Sequence, residues 1–327
     1  MRRSGLATLV MPFAAAAVVA GVLAGTHHTT VPSLNPAAPL PGQAANQAPV
    51  TCPHRRLPRP FTGIAINPDI GAHVRAFRQA TGAPVSMVEF YNPFPQPFQQ
   101  WEAAQAVATG AVPLIQLNPR HVSLTAIARG AYDPQIRQYA EAVKAFRCRI
   151  VLSFGHEMNG WWYSWGLPDT RPGTFIAAWR HIHDVFAAQH VSNVSWSWDP
   201  SHLDQKFKTK AASPASEWYP GDRYVNWVGL DGYLRSGQTF REIFARQLRN
   251  IRSVSNRPVY LAETGVAGGL DQGRQIAQLF ASLRGYRLLG LVWFDLDRKQ
   301  PWRLEGRPAG IAAYRKAVSQ LRERLGG

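Results

Sequence analysis

The stretch RIVLSFGHE, residues 149 to 157, decides the fold. It begins on a charge, runs through Ile150, Val151, Leu152 and Phe154, and stops at Gly155 before a His-Glu pair. A short, almost unbroken apolar run bounded by glycine reads as a strand buried on both faces, the kind that parallel sheets use beneath a layer of helices. Seven further runs have this character: FTGIAIN from Phe61, PVSMVEFYN from Pro84, AVPLIQLNP from Ala111, NVSWSWDP from Asn193, VNWVGLDGY from Val225, RPVYLAETG from Arg257 and LLGLVWFDLD from Leu288. Helix-like periodicity occupies 98–108, 135–146, 174–189, 240–254, 274–283 and 315–325. Strand alternates with helix throughout, so the pattern predicts an α/β chain forming a single (β/α)8 TIM barrel. An open doubly wound sheet fits less well, because the first strand leads into NPDIG and no G-x-G-x-x-G follows any strand.

Outward from the barrel, residues 1–25 read as a signal peptide or membrane anchor. Arg2 and Arg3 precede an uncharged, mostly apolar run from Leu6 to Ala24, with small residues near Ala24 and Gly25 where a signal peptidase could cut. The run approaches the roughly 20 residues that span a bilayer, so a tether through residues 6–25 with the body outside is the alternative. No cysteine follows LAG, which removes a lipid-attachment box, and beyond the paired arginines the twin-arginine pattern is poor. Residues 26–50 are rich in Pro, Ala, Thr, Asn and Gln without apolar periodicity, a composition that predicts a disordered linker. The catalytic body is then 51–327, either secreted or anchored facing outside.

An exported chain with two cysteines, Cys52 and Cys148, predicts a disulfide; they precede the first and fourth strands and so meet at the barrel's N-terminal end. The net charge is +16, but only six of the 36 basic residues are Lys and the arginines are scattered, with no short basic run interleaved with aromatics. Nucleic acid is therefore not an expected partner. Attraction to an anionic glycan or cell-wall polymer remains open. A monomer is expected.

In such a barrel the site lies at the strand C-termini, where these runs end in Asn92, Asn118, Glu157, Asp199, Tyr233, Glu263 and Asp295. Glu157 ends the fourth strand and Glu263 the seventh, so the two can face one another across the mouth. Two carboxyl groups at one site are what glycosidic bond cleavage requires, one to protonate the departing oxygen and one to attack carbon or activate water. The run after Glu157 holds Trp161, Trp162, Tyr163 and Trp165, rings that can stack on the C–H faces of sugars. Trp162, Trp165 and Trp198 are candidate sugar platforms or loop-packing residues, and Asp295 binds a sugar hydroxyl or caps its strand. No metal or other cofactor is expected: an H-E-x-x-H zinc helix would need a second His where Gly160 stands, and His181 and His183 point to different helix faces.

GHEMNG, WWYSWG, WYPGDRYVNWVGLDGY, LAETG and VWFD together resemble glycoside hydrolase family 26, whose best-known members are retaining endo-β-1,4-mannanases on a (β/α)8 barrel. The likeness runs from about Phe61 to Asp297. It implies Glu157 as acid/base, Glu263 as nucleophile, and His156 as part of the family's His-Glu pair. It further implies Tyr233 bonded to the nucleophile and Trp293 lining the subsite of the attacked sugar. The third strand departs from the pattern by ending in IQLNP, where many members carry an acidic or aromatic residue. The expected substrate is a β-linked polysaccharide, most directly β-1,4-mannan, with β-1,3-xylan and mixed-linkage β-glucan as other activities of the family. A glycan-binding or exopolysaccharide-trimming envelope protein on the same barrel is the alternative.

Overall fold

The computed structural model describes residues 51–52, 57–66, 69–203, 212–298 and 300–323; the expected leader at 1–25 and linker at 26–50 lie outside them. Among the described residues, no helix is long and apolar enough to cross a membrane.

Nine parallel strands form one sheet: β1 (Phe61–Ala65), β2 (Met87–Pro93), β3 (Val112–Asn118), β4 (Ile150–Phe154), β5 (Val194–Trp198), β6 (Trp227–Gly229), β7 (Gly232–Leu234), β8 (Val259–Val266) and β9 (Gly290–Phe294). β1 pairs with β9 and β6 with β8, which closes the sheet into a barrel. All eight runs in the sequence are strands, and the sixth is broken into β6 and β7 around Leu230 and Asp231. Both halves pair with β8, Val228 with Val259 and Gly232 with Thr264, so the sixth and seventh positions slip by one residue between them. The closed barrel therefore has eight strand positions.

Among the described residues eight α-helices cover it: α1 (Ile70–Thr81), α2 (Gln100–Ala108), α3 (Leu124–Ala128), α4 (Asp133–Phe146), α5 (Pro172–Ala188), α6 (Phe240–Arg252), α7 (Gln272–Gly285) and α8 (Pro308–Glu323). α1 and the short α3 add to the periodic segments read from sequence. Local chemistry sets their ends: Pro172 occupies the first turn of α5, where no backbone donor is lost. Thr239 and Glu242 cap α6 reciprocally, each side chain bonding the other's backbone N–H.

Strand alternation divides the core in two. Phe61, Met87, Leu114, Val151, Tyr260, Val292 and Phe294 pack inside the barrel. Ile64, Val88, Ile115, Leu152, Trp198, Leu261 and Trp293 pack outward with Phe77, Tyr139, Phe175, Trp179 and Tyr314 of the helices. Cys52 and Cys148 are joined in a disulfide with Cα atoms 5.1 Å apart, tying the segment before β1 to the start of β4 at the barrel floor.

Candidate active site

Glu157 lies three residues beyond β4, and the turn that delivers it is unusual. Gly155 and Glu157 both have positive φ, 59° and 54°, and for a non-glycine residue this left-handed conformation costs about 1 kcal/mol or more. A 2.7 Å bond from the Glu157 N–H to the carbonyl of Asp199, just past β5, holds the turn against that cost. The Trp162 indole Nε1 donates to Glu157 Oε2 at 2.6 Å. Gly160 makes room for this indole, since a Cβ there would stand 2.3 Å from the Trp162 ring.

Glu263 sits inside β8, 4 % exposed, with both carboxylate oxygens engaged. Tyr91 of β2 donates to Oε1 at 2.7 Å and Tyr233 of β7 donates to Oε2. Asp231 Oδ1 accepts the Glu263 N–H at 2.9 Å, which gives the break between β6 and β7 a purpose: it turns a carboxyl onto the backbone of β8. Buried His156 bonds Asn118 Oδ1 through Nδ1 at 2.9 Å and brings Nε2 to 3.7 Å from Glu263 Oε1.

Beneath the glutamates the barrel interior is polar. Gln116 donates from Nε2 to Glu89 Oε1 at 2.7 Å and to Asp199 Oδ2 at 2.9 Å, while Ser197 bonds both Asp199 and the Tyr260 hydroxyl. Barrel interiors are commonly filled by branched apolar side chains, so this layer departs from what packing alone would select.

Burial and mutual charge set the protonation states. Burial, and then the charge of Glu263, push the Glu157 carboxyl up to about 8, opposed by its bond from Trp162. Glu263 is also raised by burial, but the Tyr233 and Tyr91 hydroxyls favour its charged form. Glu89 and Asp231 are held well above the usual carboxylate range by burial and by the charge of Glu263. Burial, with the charge of Arg120 after β3, depresses His156 to about 3, so its ring is neutral. At neutral pH Glu157 keeps its proton, while the two hydroxyls on Glu263 oppose the effect of burial and favour its carboxylate form. Such a pair can donate a proton from one side and attack or stabilise positive charge from the other.

The structure thus brings Glu157, Glu263, His156, Trp162 and Tyr233 together and buries the other candidate rings. Trp198 and Trp293 have no exposed face: each occupies an outward position of its strand. Trp198 packs edge-on against Tyr219 and Trp293 against Tyr314, with the Trp293 Nε1 donating to the Trp302 carbonyl at 3.1 Å. Trp165 is buried as well, donating to the His156 carbonyl at 2.7 Å and stacking on Tyr163 at 4.2 Å, so it supports the loop. Asp295 is buried, accepts the Leu304 N–H at 3.1 Å, and is raised to about 8 by burial and by Glu305. Asn92 ties the loop after β2 to Tyr139 and Gln99.

Two aromatic residues at the site escape the sequence reading. Tyr91 follows Met87 and Glu89 on the inward side of β2, a parity readable once the inner face is fixed. Trp302 lies in the loop after β9, its ring 4.8 Å from that of Tyr233, and no local pattern announces it.

Comparison with known proteins places this geometry. The sequence profile described as glycosyl hydrolase family 26 matches residues 73–286. The chain belongs to that family. Endoglucanase H of Acetivibrio thermocellus is 29% identical over 263 residues, which is 75% of this family 26 chain and 29% of that protein. A mannan endo-1,4-β-mannosidase (A and B) of Caldalkalibacillus mannanilyticus is 28% identical over 132 residues, 37% of this chain and 23% of that protein. The chain therefore spans less than a third of the length of either relative. Two solved structures share the fold. The modular endo-β-1,4-mannanase of Cellulomonas fimi superposes with a TM-score of 0.57 at 19% identity, over 74% of this chain and 65% of that one. The catalytic domain of a family 26 endo-β-1,4-mannanase from a Bacillus species superposes with a TM-score of 0.60 at 13% identity, over 80% and 86%.

Proposed function

We propose that this family 26 chain is a retaining, endo-acting β-glycoside hydrolase whose first substrate is β-1,4-mannan. The observation that carries the mechanism is the unequal treatment of two facing glutamates. Glu263 has a hydroxyl on each oxygen, which fixes its orientation and favours the carboxylate, as a nucleophile needs. Glu157, pushed up to about 8, keeps its proton at neutral pH, as a general acid needs.

In the first step Glu157 protonates the glycosidic oxygen while Glu263 attacks the anomeric carbon, and the aglycone departs. The carbon–oxygen bond to the leaving group breaks as the bond to Glu263 forms. Loss of its proton leaves Glu157 a carboxylate, stabilised by the Trp162 N–H, ready to take a proton from the water that hydrolyses the ester. Asn118 orients His156, whose neutral ring holds the flank of Glu263 without forming an ion pair. Trp302, 6 % exposed, packs beside Tyr233 and backs the ring that holds Glu263.

Mannan is placed first because the relatives with mannosidase names and the superposed mannanases agree on it. The likeness to an endoglucanase spans more of this chain, which favours a β-glucan as the second reading. Export suits both readings and fits the disulfide. Release of reducing ends from purified mannan, glucomannan, mixed-linkage β-glucan and β-1,3-xylan tests the assignment. Activity on mannan exceeding that on the other polymers is expected, and hydrolysis of none of them would overturn it.

A further inference from the structure

A cavity lies at the opposite end of the barrel from the glutamates. It has a volume of about 430 Å³ and is lined by Leu57, Arg59, Phe61, Arg149, Trp227 and Leu289. Phe61 and Trp227 begin β1 and β6, while Arg149 and Leu289 immediately precede β4 and β9, so the lining is made at strand N-termini. Glu157 follows β4 and Glu263 lies in the C-terminal half of β8, so a five-residue strand at about 3.3 Å per residue puts them roughly 15 Å from the floor.

The chemistry of this floor is the inverse of the mouth. The mouth and the layer beneath it gather the carboxyl groups of Glu89, Glu157, Asp199, Asp231 and Glu263, each raised by burial. The floor carries Arg59 and Arg149, both exposed, and among the described residues neither guanidinium has a carboxylate or hydrogen-bond partner. Trp227, which lines the same cavity, is half-buried, braced by Phe61 at 6.4 Å and by the edge of Tyr260 at 5.9 Å. The disulfide fixes the frame, because Arg149 follows Cys148 directly and the segment bearing Arg59 begins at Cys52.

We infer that the barrel floor is a second saccharide site, selective for a sugar unit bearing a carboxylate. An indole face braced in this way offers a platform for the C–H face of a pyranose ring. The two guanidinium groups that line the same cavity, unpaired among the described residues, supply planar, paired donors that match a carboxylate. The cavity falls within the roughly 300–1,000 Å³ that small-molecule sites occupy. The floor would hold an acidic polymer while the mouth works on a neutral stretch, and its binding is independent of the hydrolytic reading.

Titration calorimetry on the full chain carrying Glu263→Gln, with β-1,4-linked trimannuronate and mannotriose as probes, separates the two ends. The probes share a backbone and differ in their carboxylates. Trimannuronate is expected to bind, to weaken with added salt, and to lose at least roughly tenfold in affinity in an Arg59→Gln/Arg149→Gln variant. Trp227→Ala should weaken it comparably, with an unchanged unfolding transition in the arginine variant showing that the fold is intact. Trimannuronate affinity unaltered by both changes, or no heat from trimannuronate at millimolar concentration, would overturn the proposal. Mannotriose reports only on the mouth, so failure of the mannan reading leaves the result at the floor legible.

Discussion

The hydroxyl of Tyr91 donates to Oε1 of Glu263 at 2.7 Å across 172 positions of sequence, and Tyr233 holds the other oxygen. Both bonds favour the charged carboxylate, so removing either raises the Glu263 pKa. Tyr91→Phe and Tyr233→Phe should each lower kcat by about 10- to 100-fold, the loss of one charge-assisted bond of roughly 1.5–3 kcal/mol. The acid limb of the kcat/KM profile should also move to higher pH in both variants. A pH series on a soluble substrate measures both effects.

Glu157 must be protonated to donate, and burial with the Glu263 charge places its pKa at about 8. Activity is therefore expected to fall as pH rises through about 8. The Trp162 indole stabilises the ionised form, so Trp162→Phe should shift this basic limb upward. The same pKa has a consequence for stability. A carboxyl raised on folding favours the native state at low pH, and that contribution is lost between the unfolded value and about 8. Glu157→Gln should consequently gain melting temperature over the parent as pH goes from 5 to 9, as differential scanning calorimetry would show.

Trp198 and Trp293 are core residues by position, so their removal should act on stability. Trp198→Ala is expected to destabilise by about 3–5 kcal/mol in urea unfolding while the folded fraction keeps its KM. Trp302→Ala removes a ring that is likewise buried and packed on Tyr233, so it should lower both the unfolding midpoint and kcat.

The Cys52–Cys148 disulfide closes a loop over a sequence separation of 96. Chain-entropy reasoning assigns such a loop about 4–5 kcal/mol. Cys52→Ser/Cys148→Ser should lower the unfolding free energy by roughly that amount while leaving kcat at 25 °C unchanged, because the bond lies at the floor.

The barrel was legible because its strands are apolar on both faces and end abruptly in Gly, Asn and acids; RIVLSFGHE carries both signals. Glu157 and Glu263 were legible for the same reason, as acids closing apolar runs where packing has no use for them, although β8 continues three residues past Glu263. Trp198 and Trp293 misled because an apolar strand hides its own parity: when both faces are buried, alternation cannot tell inward from outward. Tyr91 was obscured by the same ambiguity. Trp302 lies in a loop whose path depends on tertiary contacts, here its carbonyl's bond from Trp293, and no local spacing encodes it. The split of the sixth strand could not be read either, since it depends on Asp231 turning to bond Pro200, His202 and Glu263.

The division of labour between the two glutamates is tested most directly by azide rescue of two variants on an aryl β-glycoside with a good leaving group. Glu157→Ala should still form the glycosyl-enzyme, because that departure needs little protonation, and azide should release it as a glycosyl azide of retained β configuration. Glu263→Ala cannot form the intermediate, and any azide product from it should be inverted. Retained product from Glu263→Ala with inverted product from Glu157→Ala would contradict the assignment, and near-parental hydrolysis of polysaccharide by both variants would contradict the catalytic account itself.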